Sequence, residues 1–162
     1  MTDTIAAIST AIGESGIGIV RLSGRDSLSI ANILFKGYKV SKLEETNSRR
    51  LTYGYIINPK NKEIIDEVLI VFMKKPYTYT REDMVEIYCH GGIISVKKIL
   101  ELTLEYGARL AEAGEFTKRA FLNGRLDLSQ AEAVIDMIRA KTDKSFQVSL
   151  NQLEGSISHK VS

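Results

Sequence analysis

The chain has 162 residues, of which 44% are hydrophobic and 26% charged; this composition fits one globular domain, or one domain with an extension, and excludes a disordered or collagen-like chain. The 22 basic and 20 acidic side chains leave a formal net charge of +2, which is too small to indicate a general nucleic-acid-binding surface. The single cysteine, Cys89, excludes an internal disulfide and a cysteine-rich zinc site, and together with the absence of an apolar run of about 18 residues it predicts a cytoplasmic protein with no membrane role.

The first predicted elements are two strands and a short helix. Thr4–Ala11 and Ile19–Leu22 are apolar, and glycines at positions 13, 16 and 18 predict a tight turn between them. Ser27 is placed to cap a helix that ends at Leu34. The three glycines do not form a dinucleotide-binding fingerprint, because a strand and not a helix follows them, and the sequence contains no P-loop motif. We therefore expect no nucleotide hydrolysis by the P-loop route from these residues.

Six further elements are predicted between residues 36 and 111. The composition turns polar after the first helix, and β-branched runs, an alternating segment and a Gly-Gly pair then follow. The predicted elements are a surface loop over residues 36–50, a hairpin of two strands over Leu51–Ile57 and Ile64–Phe72, a strand over Met84–Tyr88, a helix over Ile93–Tyr106 closed by Gly107, and a strand over Ala108–Ala111. Together they predict an α+β domain over residues 1–119 with an antiparallel or mixed sheet.

The pattern becomes helical from Thr117. The residues around Phe116 and Phe121 predict a short helix that ends at Gly124, and Ser129-Gln-Ala-Glu132 is the pattern of a capping box for the next helix. An apolar stripe at helical spacing then runs to the end of the sequence, through Phe146, Leu150, Leu153, Ile157 and Val161. We therefore expect residues 120–162 to be the first part of a helical domain that continues in a longer protein.

Glu86 is the carboxylate with the clearest sequence context for ligand binding. Glu82, Asp83 and Glu86 lie within five positions, and Glu86 stands between two apolar residues, shortly before the glycine pair 91–92. A partly buried carboxylate beside such backbone can accept two hydrogen bonds from an NH₂ group and a ring N–H, as on the edge of a pterin. The alternative is that these carboxylates form a solvated strand edge, where most carboxylates lie.

Two arginines are candidate cations for an anionic ligand. Arg21 stands in an otherwise apolar strand, where it is either a fixed cation in a site or an edge residue whose head reaches solvent. Arg125 follows Asn123-Gly124 between two predicted helices, where it can bind a ligand carboxylate or a nearby acid such as Asp127. The spacing leaves both alternatives open.

No catalytic or metal-binding set is predicted. His90-Gly91-Gly92 is similar to an esterase oxyanion-hole sequence, but the required Gly-x-Ser-x-Gly elbow is absent. Cys89 and His90 are adjacent, so on a strand they point to opposite faces and do not share a metal ion. Cys89 is expected to be a packed, buried thiol.

Five blocks of sequence carry a resemblance to a known family. They are Thr4-Ile-Ala-Ala, Gly16-Ile-Gly-Ile-Val-Arg21-Leu-Ser-Gly24, Tyr79-Thr-Arg-Glu82-Asp-Met-Val-Glu86-Ile, His90-Gly-Gly92, and Gly114-Glu-Phe-Thr-Lys-Arg119-Ala-Phe-Leu-Asn-Gly-Arg125-Leu-Asp127-Leu-Ser-Gln130-Ala-Glu132-Ala. Together they resemble the MnmE (TrmE) family of tRNA-modification GTPases, and the last block is long and specific.

The resemblance implies a fold, a ligand and partners. Residues 1 to about 119 would form an N-terminal domain similar to the folate-binding aminomethyltransferase domains, which forms a homodimer and binds 5-formyltetrahydrofolate or a related reduced folate. Arg21, Glu86 and Arg125 match the family's folate-binding positions. The full-length family members work with MnmG on the wobble uridine of certain tRNAs, to build a carboxymethylaminomethyl-type group. GTP, Mg²⁺ and K⁺ belong to a GTPase domain, so this chain alone is not expected to be catalytic.

The sequence departs from the family pattern at three positions. Arg81 stands where the family often has Gly, Ala113 where it often has Pro, and Arg125 where it often has Lys. The last difference keeps the positive charge but replaces the compact ammonium group of lysine with the planar guanidinium group of arginine. This changes the geometry of the hydrogen bonds that a ligand can accept.

Two other functions remain alternatives. One is a self-contained folate enzyme of the aminomethyltransferase type, for which Glu82 or Asp83 would have to serve as the acid or base. The other is a dimerisation scaffold with an empty pocket, in line with the small net charge and the absence of a visible catalytic dyad.

Overall fold

The computed structural model describes residues 3–9, 16–39, 42–43 and 48–143. These residues form two compact units, the first ending at Ala111 and the second beginning at Glu112. This division lies eight residues before the predicted domain boundary at 119/120. Because a compact unit is not the same as a domain, the domain boundary stays a prediction. The apolar stripe predicted over residues 146–161 lies outside the described residues.

The first unit is built on one mixed sheet. Its seven strands are β1 (Ile5–Ile8), β2 (Gly18–Ser23), β3 (Phe35–Gly37), β4 (Thr52–Ile57), β5 (Ile64–Met73), β6 (Met84–Cys89) and β7 (Arg109–Leu110). Their order across the sheet is β3-β4-β5-β6-β2-β1-β7. Neighbouring strands are antiparallel except β1 and β7, which are parallel. This architecture confirms the predicted α+β class and the hairpin of β4 and β5.

The hydrophobic core lies between the sheet and two helices, α1 (Ser27–Leu34) and α2 (Gly92–Glu105). Val85 and Ile87 of β6 are completely buried in this core together with Ile99 of α2. Because side chains alternate along a strand, the residue between them, Glu86, points to the opposite face of the sheet. Cys89 is also completely buried, and burial raises the pKa of its thiol to about 12, which confirms the prediction of a packed thiol.

The predicted loop over residues 36–50 begins with a strand instead. Strand β3 pairs with β4 in the register Phe35↔Ile56 and Gly37↔Gly54. Gly54 makes this pairing possible, because a Cβ atom there would lie 2.5 Å from the Lys36 carbonyl oxygen. A three-residue edge strand with a lysine in the middle has too little local hydrophobic pattern to be recognised as a strand in the sequence.

The boundaries of two elements also differ from the prediction. Ser27 is the first residue of α1 and Asp26 is its N-cap, since the Ser27 hydroxyl donates to the Asp83 carbonyl, 3.1 Å away, and not to the helix. The first strand ends at Ile8, before the predicted end at Ala11; residues 10–15 of that stretch are outside the described residues. At the start of α1, a tertiary hydrogen bond therefore occupies the hydroxyl that was expected to cap the helix.

The second unit contains α3 (Glu115–Leu122) and a further helix, α4, described over residues 128–143. Helix α3 ends at Leu122, two residues before the predicted end at Gly124; Gly124 has a φ of +80°, and the Arg125 N–H donates to the Ala120 carbonyl at 2.8 Å. The capping box predicted from Ser129 to Glu132 is wrong. Asp127 and Gln130 form the box, because α4 begins one residue before Ser129.

The hydrogen bonds of that box are reciprocal. The Gln130 N–H donates to Asp127 Oδ1 at 2.7 Å, and the Asp127 N–H donates to Gln130 Oε1 at 3.0 Å. This arrangement satisfies two backbone donors at the helix start. In the described part of the chain, no helix combines the length and the apolar character that crossing a membrane requires.

Candidate functional site

Arg21 and Glu86 are brought together on the face of the sheet opposite to α1 and α2. They are directly opposite each other in the pairing of β2 with β6. The Arg21 Nε–H donates to Glu86 Oε2 at 2.9 Å, and Arg21 Nη2 lies 2.7 Å from the same oxygen. The two side chains are 31% and 14% exposed. Since β2 is an inner strand of the sheet, Arg21 is not an edge residue, and the alternative of a solvated strand edge is wrong for Glu86.

Tyr88 holds the second oxygen of the same carboxylate. Its hydroxyl donates to Glu86 Oε1 at 2.9 Å. Burial, followed by this hydrogen bond, raises the pKa of Tyr88 to about 12. An ionised carboxylate has about four acceptor positions, and the two Arg21 nitrogens and the Tyr88 hydroxyl occupy three of them, so Glu86 keeps one acceptor position, on Oε1, for a ligand. The sequence analysis missed Tyr88, although its spacing of two from Glu86 places both on one strand face.

A pocket of about 380 Å³ opens beside this cluster, within the size range of small-molecule sites. Its lining combines two cations, one carboxylate, two thioethers and two hydroxyl groups: Arg21, Arg49, Met73, Thr78, Tyr79, Met84 and Glu86. The pocket therefore offers an acceptor for N–H groups, donors for anions and apolar surface for a ring.

Arg49 is a second cation of the pocket that the sequence did not reveal. Its φ of +71° is in the left-handed region, and its N–H donates to the Phe72 carbonyl at 2.8 Å. Its Nη2 donates to the Tyr77 carbonyl. A guanidinium has five N–H donors, so this bond leaves others for an anionic ligand. Arg49 lies in the segment predicted as a surface loop, and no pattern in the neighbouring sequence indicates that it lines a pocket.

The loop that supplies Thr78 and Tyr79 is fixed by a network of hydroxyl groups. The buried Ser23 hydroxyl lies 2.7 Å from Thr80 Oγ1 and donates to Glu82 Oε1 at 2.8 Å. The Thr78 hydroxyl donates to the Glu82 carbonyl at 2.6 Å. The Glu82 carboxylate thus positions the loop.

Asp83 is engaged in a similar way. Its Oδ1 accepts a hydrogen bond from the Lys75 N–H at 2.9 Å, and its carbonyl accepts one from the Gly24 N–H at 2.9 Å. Neither Asp83 nor Glu82 is among the residues that line the pocket. The two carboxylates named for an aminomethyltransferase reaction therefore carry structural hydrogen bonds.

Arg125 belongs to the second compact unit. It is exposed in the turn between α3 and α4, with its backbone fixed by the helix end at Gly124. The Asp127 carboxylate, its alternative partner, caps α4. Arg125 stays a predicted ligand-binding residue.

His90 has a structural environment at the corner between β6 and α2. Its Nδ1 lies 3.0 Å from the Glu67 carbonyl, while the N–H groups of His90 and Gly91 donate to Asp66 Oδ2 at 2.7 and 2.9 Å. Among the residues described, no three His, Cys, Asp or Glu side chains lie close enough to hold a metal ion.

We expect the Tyr88 hydroxyl to make stability fall at alkaline pH. Its pKa is about 12 in the folded chain, against 10.0 for an unperturbed tyrosine, so its contribution is complete below pH 10.0 and is lost as the pH rises to about 12. Urea unfolding across this range should show a smaller loss of stability for Tyr88→Phe than for the unchanged chain. An identical loss in both chains would mean that Tyr88 ionises normally.

Comparison with known proteins gives consistent matches. A family model described as GTP-binding protein TrmE N-terminus matches residues 4–125. The chain is 62% identical over 159 residues to the tRNA modification GTPase MnmE of Alkaliphilus oremlandii, which covers 98% of this chain and 34% of that protein. For the protein of the same name from Clostridioides difficile the identity is 63% over 159 residues, with the same coverage. The chain thus spans about a third of the length of the curated relatives it matches.

Proposed function

Since the chain belongs to the family of the GTP-binding protein TrmE N-terminus, we propose that it is the part of a tRNA modification GTPase that binds a reduced folate and forms the dimer. The observation that carries this proposal is the cluster of Arg21, Glu86 and Tyr88 at a pocket of about 380 Å³. The cluster presents a fixed, largely buried carboxylate to the pocket. Such a group suits a ligand with an N–H donor at its edge.

Glu86 fits the ring of 5-formyltetrahydrofolate. The aminopyrimidine edge of that ring presents an exocyclic NH₂ beside a ring N–H, and the remaining acceptor position on Glu86 Oε1 accepts one of these donors. Arg21 and Tyr88 fix the Glu86 carboxylate from two sides, so little side-chain freedom is lost when the ligand binds. Met73 and Met84 supply adaptable apolar surface beside it.

The arginines suit the anionic part of the same ligand. A folate carries carboxylates on its glutamate tail, and a guanidinium binds a carboxylate through two parallel hydrogen bonds. We propose Arg21, at the pocket, for this role, and Arg125 as a second carboxylate-binding arginine. Arg49 adds a further cation at the pocket itself.

Exposed apolar side chains support an association of two copies. Ile17 is 45% exposed, while Ile93 and Ile94 at the start of α2 are 41% and 67% exposed. A Cβ atom on Gly18 would touch Val96, so the start of β2 packs against the first turns of α2. The three isoleucines therefore lie in one neighbourhood, which a second copy would remove from water.

The activity of the whole protein completes the proposal. Curated relatives are named for tRNA modification and GTP hydrolysis, and this chain corresponds to about a third of their length. We assign GTP, Mg²⁺ and K⁺ to a GTPase domain elsewhere in the protein, and MnmG and tRNA to the assembled cytoplasmic complex. The folate would supply a one-carbon unit to the modification of the wobble uridine.

Isothermal titration of the chain with 5-formyltetrahydrofolate, beside light scattering, tests this function. We expect saturable binding of one folate per subunit and the mass of a dimer. If a monomeric chain binds the folate, only the dimer part of the proposal is refuted. A dimer without binding would favour the scaffold alternative, and release of a one-carbon product by the chain alone would favour the aminomethyltransferase alternative.

A further inference from the structure

Three tyrosines form a row on the outer strands of the sheet. Tyr53 and Tyr55 share one face of β4, and Tyr38 follows β3, the neighbouring edge strand. The ring centroids of Tyr38 and Tyr53 are 6.0 Å apart with planes at 70°, and those of Tyr53 and Tyr55 are 5.8 Å apart at 67°. Tyr38 is 68% exposed and Tyr53 is 38% exposed. Exposed aromatic rings in mutual contact are unusual on a surface without a binding role.

The row borders a groove of about 490 Å³ that is separate from the pocket at Glu86. We call it the tyrosine groove. The groove is lined by the apolar surface of Tyr38, Tyr55 and Ile57 and by two cations, Lys36 and Lys62. Among the described residues, its lining contains no acidic side chain. Lys36 is directly opposite Tyr55 in the pairing of β3 with β4, so one cation is adjacent to the aromatic surface.

The acidic residue near the row is engaged away from the groove. Glu67 lies opposite Tyr55 in the pairing of β4 with β5, and it is not part of the groove lining. Hydrogen bonds with the Tyr55 hydroxyl and with Glu67 raise the pKa of Tyr53 above its ordinary value, so Tyr53 remains a neutral donor to that carboxylate. Glu67 thus accepts a hydrogen bond from the middle tyrosine, which is not part of the groove lining.

This chemistry suits a ligand that alternates flat rings with negative charges. Every nucleotide base can stack on an aromatic ring, and lysines contact the phosphates that join the bases. Unpaired nucleotides are required, because the bases of a duplex are already stacked on each other. The curated relatives are named for tRNA modification, which makes RNA the relevant nucleic acid.

We propose that the tyrosine groove binds unpaired nucleotides of a tRNA, with bases against Tyr38 and Tyr55 and phosphates on Lys36 and Lys62. The inference rests on the proposed part of this chain in tRNA modification and adds an RNA contact to it. The groove collects residues from β3, β4 and the β4–β5 connection, so a chain with a net charge of only +2 still presents a local cationic and aromatic surface.

Fluorescence anisotropy with a labelled single-stranded oligouridine tests the groove. We expect Tyr38→Ala to weaken binding by at least about fivefold and Tyr38→Phe to leave it within about twofold, because stacking needs the ring and not the hydroxyl. Tyr77→Ala is the matched control, since Tyr77 is 77% exposed and lies outside the groove. This variant should bind the oligouridine with the affinity of the unchanged chain.

The salt dependence tests the lysines independently. Between about 50 and about 200 mM salt, Lys36→Gln and Lys62→Gln should each reduce the slope of log affinity against log salt by about 0.7. Lys97→Gln, on the exposed side of α2, should leave the slope unchanged. These variants keep all three tyrosines. The test of the lysines therefore remains valid even if Tyr38→Ala fails to fold.

Three results would overturn the inference. They are no binding of the oligouridine by the unchanged chain, equal effects of Tyr38→Ala and Tyr77→Ala, and a shift of Tyr38→Ala from dimer to monomer in light scattering. The last result would make the groove an interface between two copies. Titration of the same variants with 5-formyltetrahydrofolate separates this outcome from a failure of the folate proposal, because the groove variants should keep the folate affinity.

Discussion

Replacing Glu86 by alanine is expected to lower the affinity for 5-formyltetrahydrofolate by at least about tenfold. A charge-assisted hydrogen bond is worth about 1.5–3 kcal/mol, and about 1.4 kcal/mol corresponds to a factor of ten in affinity. Alanine removes the acceptor for the ligand and also the partner that Arg21 and Tyr88 share. The effect should therefore exceed that of removing either donor.

Isothermal titration of matched variants measures this loss. Glu101→Ala, an exposed carboxylate on α2, is the control and should bind as the unchanged chain does. Glu86→Gln keeps the shape of the side chain and one acceptor oxygen, so its affinity for 5-formyltetrahydrofolate should lie between those of Glu86→Ala and Glu101→Ala. Thermal unfolding of each variant shows whether the fold is kept. Equal affinities of Glu86→Ala and Glu101→Ala, with both chains folded, would remove Glu86 from the binding site.

Gly24→Ala is expected to destabilise the first unit by about 2–6 kcal/mol, of which backbone strain and overpacking contribute about 1–3 kcal/mol each. Gly24 has a φ of +136°, a conformation that L side chains rarely adopt. An added Cβ would lie 2.6 Å from Thr4 Oγ1 and 2.7 Å from Thr4 Cα. Thr4 Oγ1 in turn accepts a hydrogen bond from the Asp26 N–H at 2.9 Å, at the start of α1.

Gly16→Ala is the natural comparison for that change. A Cβ at Gly16 would meet no atom of the described residues within 4 Å, so the free energy of unfolding should stay within about 0.5 kcal/mol. Urea unfolding of both variants gives the difference directly. Because a domain of this kind is stable by about 5–15 kcal/mol, the Gly24 variant should lose a large part of its stability. Similar midpoints for the two variants would contradict the steric argument.

The sequence predicts the chemistry of the site better than its geometry. An arginine in an apolar strand and a carboxylate in an alternating strand both indicate a site. Their contact depends on the pairing of β2 with β6, which joins residues 65 positions apart in the chain. No local pattern specifies such a register, so the ion pair and the hydrogen bond from Tyr88 were not predictable.

Two local errors have a similar origin. Strand β3 exists because Gly54 of the neighbouring strand lets its backbone approach, and that information lies outside the segment itself. The sequence after Gly124 contains two overlapping capping patterns, and only the structure shows that Asp127 and Gln130 are used. Arg81 has a φ of +62°, in the left-handed region that favours glycine, and no pattern in the neighbouring sequence indicates this conformation.

The long-range pairing of β2 with β6 also imposes an order of events during synthesis. At about 5–20 residues per second, the ribosome needs about 3–13 seconds to add the 65 residues between Arg21 and Glu86. During that time β2 has, among the described strands, only β1 as a partner, and a two-stranded hairpin is marginally stable in water. A ligand that needs both side chains therefore binds only chains whose central sheet is complete, and its binding protects finished molecules from unfolding by mass action.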